Sequence, residues 1–367
     1  MNPIYLDNQA TTPLAPEVFD AMLPWLRDNF GNPHSPHVLG RRAAAAVEVA
    51  REQVAALLPD NGRVIFTGSA TEAINLAMGA ARTRQGRDQI AVIDTEHAAV
   101  RDTALWYQTQ GFETTLLPVD RQGLVNLEEL EACLGQKTAL VGAMLVNNEI
   151  GVIQPVTQIT EMAHRAGALL LCDAVQGFGR MDLPIEADLI ALSGHKIYGP
   201  KGIGALWVRD GVELPPLIHG GGQEQGIRSG TLSPALCVGL GAAAKICAER
   251  RQTDMVHISD LADRARSLFS DWTVNGSLVQ RYAGNLNIRR EGLDVGRLMS
   301  DVRGVAFSAG SACASGSGRP SHVLAALGLE PAQIKSSIRL GFGRQNSVDE
   351  VEQAAYLINQ AAGKQLS

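Results

Sequence analysis

Asp188-Leu189-Ile190-Ala191-Leu192 runs straight into Ser193-Gly194-His195-Lys196, and the turn-rich stretch Tyr198-Gly199-Pro200-Lys201-Gly202 follows. A short apolar run punctuated by glycine reads as a buried strand, with the lysine set down just past its end. An amine there is poorly solvated, which lowers its pKa and leaves it usable as a nucleophile, so Lys196 is a candidate Schiff-base lysine. The alternative is a solvated loop lysine.

The same punctuation repeats on both sides. Val64-Ile65-Phe66-Thr67 reads as a strand, and Thr71 to Arg82 as a helix with Ile74, Met78 and Ala81 on one stripe. Further strands are expected at Ile90 to Ile93, Thr114 to Val119, Leu140 to Val146, Ala168 to Cys172 and Gly204 to Val208, with helices at Arg101 to Gln110 and Val156 to Ala166. Strands alternating with helices predict an α/β fold whose mostly parallel sheet is covered on both faces. After Gly220-Gly221-Gly222 the character changes. An Ala-rich helix is expected from Ser233, as N-cap, to Arg251, with Pro234 at its first position, and a second helix from Asp254 to Asp271. Short strands at Leu286 to Ile288, Val305 to Ser308 and Ser337 to Leu340, mixed with helices, then suggest a smaller α+β domain.

Composition bounds the rest. A chain of 367 residues exceeds what one hydrophobic core normally supports, which favours two domains. With 45% hydrophobic and 19% charged residues it is globular rather than disordered or collagen-like. Thirty-two Lys and Arg against 38 acids leave a net charge of −6, a poor field for nucleic acid. No apolar run reaches membrane-spanning length, and the opening residues lack a signal-peptide pattern. Five cysteines, an odd count with no C-x-x-C, argue against a disulfide scaffold or zinc ribbon and for the cytoplasm. No metal site is expected: His34-x-x-His37 lacks further ligands. Nor is Gly220-Gly221-Gly222 a nucleotide loop, since no G-K-[ST] follows.

Several segments could carry chemistry. Asp173, in Leu171-Cys172-Asp173-Ala174-Val175-Gln176, ends a buried strand, where open α/β sheets place ligand groups. A carboxylate there can keep a pyridine nitrogen protonated; it could equally be a helix cap. Ser69-x-x-Glu72, in Gly68-Ser69-Ala70-Thr71-Glu72, fits a capping box, and the same helix start could cradle a phosphate. His97, after Glu96, could stack on a planar cofactor and shuttle protons, or be an ordinary loop histidine. Asn147-Asn148-Glu149-Ile150-Gly151 offers amide donors or a simple turn. Cys313 sits among small residues in Ser308-Ala309-Gly310-Ser311-Ala312-Cys313-Ala314-Ser315-Gly316-Ser317-Gly318, as an available nucleophile or an incidental linker thiol. Arg339 ends an apolar run and could clamp a carboxylate or form a surface ion pair.

Taken together, in order, these segments resemble the cysteine desulfurases, a branch of the class-V aminotransferases with the fold-type I pyridoxal 5′-phosphate (PLP) fold. Leu6-Asp7-Asn8-Gln9-Ala10-Thr11-Thr12-Pro13, Phe30-Gly31-Asn32-Pro33-His34-Ser35 and Arg228-Ser229-Gly230-Thr231 extend the match nearly end to end. The resemblance implies a large PLP-binding domain over 12–250, and a small domain, 1–11 with 251–367, that carries the catalytic cysteine. It implies that Lys196 holds PLP, Asp173 pairs with the pyridine nitrogen, Gln176 donates to the phenolic oxygen with Asn148 nearby, and His97 stacks on the ring. Ala70, Thr71, Ser193 and His195 would hold the phosphate, and Thr231 would reach the phosphate of the partner subunit in a homodimer. Arg339, with Asn148, would bind the substrate carboxylate, and Cys313 would take sulfur from L-cysteine as a persulfide, leaving L-alanine. Sulfur-acceptor proteins, such as an iron–sulfur scaffold or a tRNA-thiolation carrier, are the implied partners.

Two features depart from the pattern. Gln225 stands where many relatives carry Arg, and the stretch before Leu286 is short. Selenocysteine lyase or another class-V transaminase is the alternative activity. A non-enzymatic subunit should have lost the lysine or the aspartate, and a nicotinamide dehydrogenase should carry G-x-G-x-x-G after an early strand.

Overall fold

The computed structural model describes residues 3–310 and 320–367. In chain order the strands are β1 (Ile4–Tyr5), β2 (Gly62–Thr67), β3 (Gln89–Ile93), β4 (Glu113–Leu117), β5 (Thr138–Met144), β6 (Leu169–Asp173), β7 (Leu189–Ser193), β8 (Gly204–Arg209), β9 (Thr273–Val274), β10 (Asn285–Arg289), β11 (Val305–Ala306), β12 (Ser308–Ala309) and β13 (Ser337–Gly341). The α-helices are α1 (Pro16–Arg27), α2 (Val38–Ala55), α3 (Ala70–Met78), α4 (Ala98–Gln108), α5 (Leu127–Cys133), α6 (Val156–Arg165), α7 (Pro234–Leu268), α8 (Val295–Asp301), α9 (His322–Ala326), α10 (Pro331–Lys335) and α11 (Val348–Leu366).

Seven strands form one sheet in the order β2-β8-β7-β6-β5-β3-β4. The pairs from β7 through β4 are parallel, and β8 runs antiparallel to both neighbours. Successive side chains of a strand point to opposite faces, and the apolar runs exploit this on both. Phe66, Ile93, Val141, Leu170, Ile190 and Trp207 pack on one face, with α1, α2, α6 and the first half of α7. Ile65, Val92, Leu140, Leu171, Leu189 and Leu206 pack on the other, with α3 and α4. Continuous hydrophobic strands are therefore what a doubly covered sheet requires.

A second, antiparallel sheet has the order β12-β13-β10-β9, and β1 pairs with β11 in parallel. Its apolar residues, among them Leu286, Ile288, Ile338 and Leu340, form a separate core with α8, α11 and the second half of α7.

Helix α7 corrects one expectation. It is a single helix of 35 residues, where two were expected, and it runs unbroken through position 251. Its buried residues are Cys237, Leu240, Ala244 and Cys247 early, then Ile258, Leu261, Ala262 and Ala265. Between them the helix is largely exposed, so the apolar stripe lapses although nothing there breaks a helix. The start matches the sequence: Ser233 Oγ accepts from Leu236 N, and Pro234 takes the first position.

Candidate active site

The C-terminal ends of β5, β6 and β7, the start of α3 and one strand of the second sheet enclose a cleft of about 300 Å³. Ten of the twelve residues singled out in the sequence line it: Ala70, Thr71, His97, Asn148, Asp173, Gln176, Ser193, His195, Lys196 and Arg339. Thr231 is exposed and lies outside this lining. Cys313 lies outside the described residues.

Strands β6 and β7 are parallel neighbours, so Asp173 and Lys196 emerge side by side where both strands end. The Lys196 amine donates to the carbonyls of Gln9 (2.6 Å) and Ala10 (2.9 Å), so the N-terminal segment supplies its seat. Asp173 is buried and accepts one hydrogen bond from the protein among the described residues, from Val175 N at 2.9 Å. Burial pushes its carboxyl above the usual range, while His97, the Val175 amide and Lys196 pull it back. Gln176 Nε2 donates to Gln9 O at 2.9 Å, and its Oε1 accepts from Arg180 Nη1 at 2.9 Å. Arg180 also donates to the Lys196 carbonyl, a link that no motif announced.

His97 caps α4: its Nδ1 accepts from Ala99 N at 3.1 Å, which leaves the proton of the neutral ring on Nε2. Behind it, Glu96 is fully buried, and its Oε1 accepts from Met144 N at 2.6 Å. Burial and the nearby Asp173 push the Glu96 carboxyl well above the usual range, while the Met144 amide pulls it back. Met144 is the register partner of Asp173, which places Glu96 against the strand pair that carries the aspartate. Sequence reasoning passed over Glu96 because only burial distinguishes it from a solvated glutamate.

At the other end, Gly204 lets α3 approach β8. A Cβ there would lie 2.8 Å from Ala70 N and 2.6 Å from the Ser69 carbonyl carbon. Ser69 Oγ accepts from Glu72 N at 3.2 Å, which is half of the expected capping box. The other half is displaced. Glu72 accepts from Gly68 N at 2.7 Å and pairs with Arg228 at 2.7 Å, because the guanidinium draws it away from Ser69 N. The N–H groups of Ala70 and Thr71, at the helix start, have no acceptor within α3 by geometry, and both residues line the cleft. Ser193 is buried beside them, and His195 Nδ1 meets Thr11 Oγ1 at 3.1 Å. Burial, then Lys196 and Lys201, push His195 down to about 4, so its ring is neutral at pH 7.

An amine, an under-bonded buried carboxylate, an amide and a helix N-terminus form a donor set that fits a phosphorylated pyridine aldehyde. Gln9 Oε1, buried without a hydrogen-bond partner among the described residues, also belongs to a residue lining the cleft.

Arg339 reaches the cleft differently. It is fully buried within β13, and its Nη2 pairs with Asp7 Oδ1 at 2.7 Å. Nη1 donates to the Asn148 carbonyl at 2.9 Å, and Nε has no hydrogen-bond partner among the described residues. It is not a surface ion pair. Glu149, one residue on from Asn148, is raised by burial to about 7 and accepts from Ser321 Oγ. His322 Nε2 meets the Glu96 carbonyl at 2.9 Å, so the chain beyond residue 319 is tied to both acids. Gln225 adopts a left-handed backbone (φ 58°) next to Glu224, whose carboxylate pairs with Arg51 at 2.8 Å. Among the described residues no helix is long and apolar enough to cross a membrane.

The profile of the family described as Aminotransferase class-V matches residues 4–354. A protein of Rickettsia africae called "Cysteine desulfurase IscS" is 43% identical over 97% of this chain and 90% of its own length. A solved structure titled "NIFS-LIKE PROTEIN" superposes with a TM-score of 0.92 at 32% identity, covering 99% of this chain and all of the other. Another, "SspA in complex with cysteine", reaches 0.82 at 33% identity, over 94% of this chain and 99% of its own.

Proposed function

The chain belongs to the class-V aminotransferase family, and on that premise we propose that it is a cysteine desulfurase, which takes sulfur from L-cysteine onto Cys313 and releases L-alanine. The observation that carries this is the convergence of Lys196, Asp173, His97 and Arg339 on one cleft, in a chain similar throughout to desulfurases. Its cofactor is pyridoxal 5′-phosphate. When bound, the cofactor supplies an electron sink conjugated to the substrate Cα.

The chain's own residues do the rest. Asp173 and Gln176 would hold the ring end of the cofactor, Ala70, Thr71, Ser193 and His195 would hold its phosphate, and His97 would serve its ring. Thr231 serves the second active site of a homodimer. Lys196 would hold the cofactor covalently, and its amine would serve as the base for the substrate Cα proton. Arg339 and Asn148 orient the substrate carboxylate, with Asp7 sharing the guanidinium.

The sulfur step needs a thiolate. Burial raises the thiols of Cys133, Cys172, Cys237 and Cys247, Cys237 to about 12, which makes all four poor nucleophiles and leaves the role to Cys313. The Cys313 sulfur attacks the substrate sulfur and a persulfide S–S bond forms. The Cβ–S bond breaks, and its electron pair, once protonated, becomes the methyl group of alanine. The persulfide sulfur then passes to an acceptor protein such as an iron–sulfur scaffold, in the cytoplasm.

The test is alanine released from L-cysteine by the purified holoenzyme, with Cys313→Ala beside it. The wild type should produce alanine and the variant essentially none. Full alanine release by the variant would remove Cys313 from the mechanism.

A further inference from the structure

A second cavity, of about 260 Å³, lies between the middle of α7 and the segments that follow β6 and precede β10. Met181, Met255, Ile258 and Tyr282 give it an apolar side. Arg180, Arg251, Arg281 and Arg344 give it charge, and among the described residues Asp254 is the one carboxylate in its lining.

The arginines are poorly compensated. The Arg344 side chain is 9% exposed; it lies over the Tyr198 ring at 3.9 Å and pairs with Asp254 at 2.8 Å, yet its Nε has no hydrogen-bond partner among the described residues. Arg281 donates only to backbone carbonyls, on Ser277, Asn275 and Asn285, and burial pulls it down to about 10. Arg180 lies over Tyr282 at 5.3 Å, and its donors go to Gln176 and to the Lys196 carbonyl. Neither Arg180 nor Arg281 has a carboxylate partner among the described residues. Arg251 meets Asp182, outside the lining, at 2.7 Å.

Cations set around a cavity without matching anions favour an anionic occupant, and the planar guanidinium suits a carboxylate best. The apolar side favours a ligand with a hydrophobic body, and the volume restricts it to a small one. Met255, at 51% exposed, marks an opening to solvent. Asp254 is already shared between Arg344 and Arg250, so among the described lining residues no unpaired carboxylate awaits an ammonium group.

We propose that this cavity is a binding site for a small organic carboxylate with a compact aromatic or branched body, its carboxylate on the arginine wall and its body against Tyr282 and Ile258. The site is separate from the cleft but is linked to it through Arg180, a residue of the cavity lining whose guanidinium donates to Gln176 and to the Lys196 carbonyl.

Titration calorimetry on the holoenzyme with 3-phenylpropionate tests this. Saturable binding is expected, with 3-phenylpropan-1-ol, 3-phenylpropylammonium and acetate each at least tenfold weaker. Met255→Trp, which closes the opening, and Arg251→Glu, which reverses its charge, should each weaken 3-phenylpropionate at least tenfold while alanine formation without the probe is unchanged. Both positions are on the exposed side of α7, so the fold should tolerate them. Equal affinity for acid and alcohol, acetate binding as well as the probe, or no saturable binding would each overturn the proposal. So would binding that both variants leave intact and saturating L-cysteine abolishes, because that places the probe at Arg339.

Discussion

Lys196 and Asp173 stand at the ends of β7 and β6, whereas Arg339 sits inside β13. At a strand end a polar side chain opens onto the cleft, and the protein need not neutralise it; Asp173 has one backbone donor. Inside a strand the same economy is impossible. Arg339 is fully buried and is matched by Asp7 and by the Asn148 carbonyl. Asp173 keeps bonding capacity for a cofactor, while Arg339 commits part of its own to the fold. Function and stability should therefore separate at β6 and β7 and travel together at β13.

The largest test of that contrast is Lys196→Ala. Alanine formation should fall by roughly a thousandfold or more, because the proposed anchor and base vanish together. The melting temperature of the cofactor-free protein should move by only about 2 °C. A large drop in stability would mean that the amine on Gln9 and Ala10 is structural.

Arg339→Leu should show both losses. Removing one partner of a buried pair strands Asp7 and should cost about 3 kcal/mol in denaturant unfolding, and KM for cysteine should rise at least tenfold. Unchanged stability would erase the distinction between the two regions.

Asp173→Asn should have opposite signs with and without cofactor. Burial raises the folded pKa of Asp173, so its favourable contribution is complete below the unfolded value of about 4 and is lost as pH rises through the higher folded value. The cofactor-free variant should therefore unfold at higher denaturant than wild type at pH 8 and equally at pH 4. The loaded variant should hold PLP at least tenfold more weakly. Equal stability at both pH values would mean that Asp173 is not desolvated.

The smallest effect is expected at His195. Its folded pKa of about 4 lies below the unfolded value of about 6.5, so its contribution is present above 6.5 and is lost as pH falls toward 4. Cofactor-free stability should decline over that window, and less steeply in His195→Gln. The pH profile of alanine formation between 6 and 8 should keep its shape in that variant. A limb that moved would show His195 titrating in the working range.

Much of this was legible because the signals were local. Val64 to Thr67 and Leu189 to Leu192 read as strands since every side chain in them is apolar or small enough for a two-sided core. Ser233 and Pro234 marked a helix start by their own chemistry. The capping box at Ser69 was only half right, because Arg228, 156 residues from Glu72, competes for the carboxylate. The two-helix reading of α7 failed because an exposed middle has no stripe to follow.

The residues alone therefore determined the alternation of strand and helix, the two-faced sheet and the strand ends at which Asp173 and Lys196 emerge, since those follow from the period of apolar side chains. Only the tertiary structure decided that Gln9 and Ala10 seat the lysine, that Asp7 answers Arg339 and that Glu96 lies buried against the strand pair that carries Asp173. Each of those depends on desolvation or on a partner brought from across the chain. Burial and distance are properties of packing, and they have no period in the sequence.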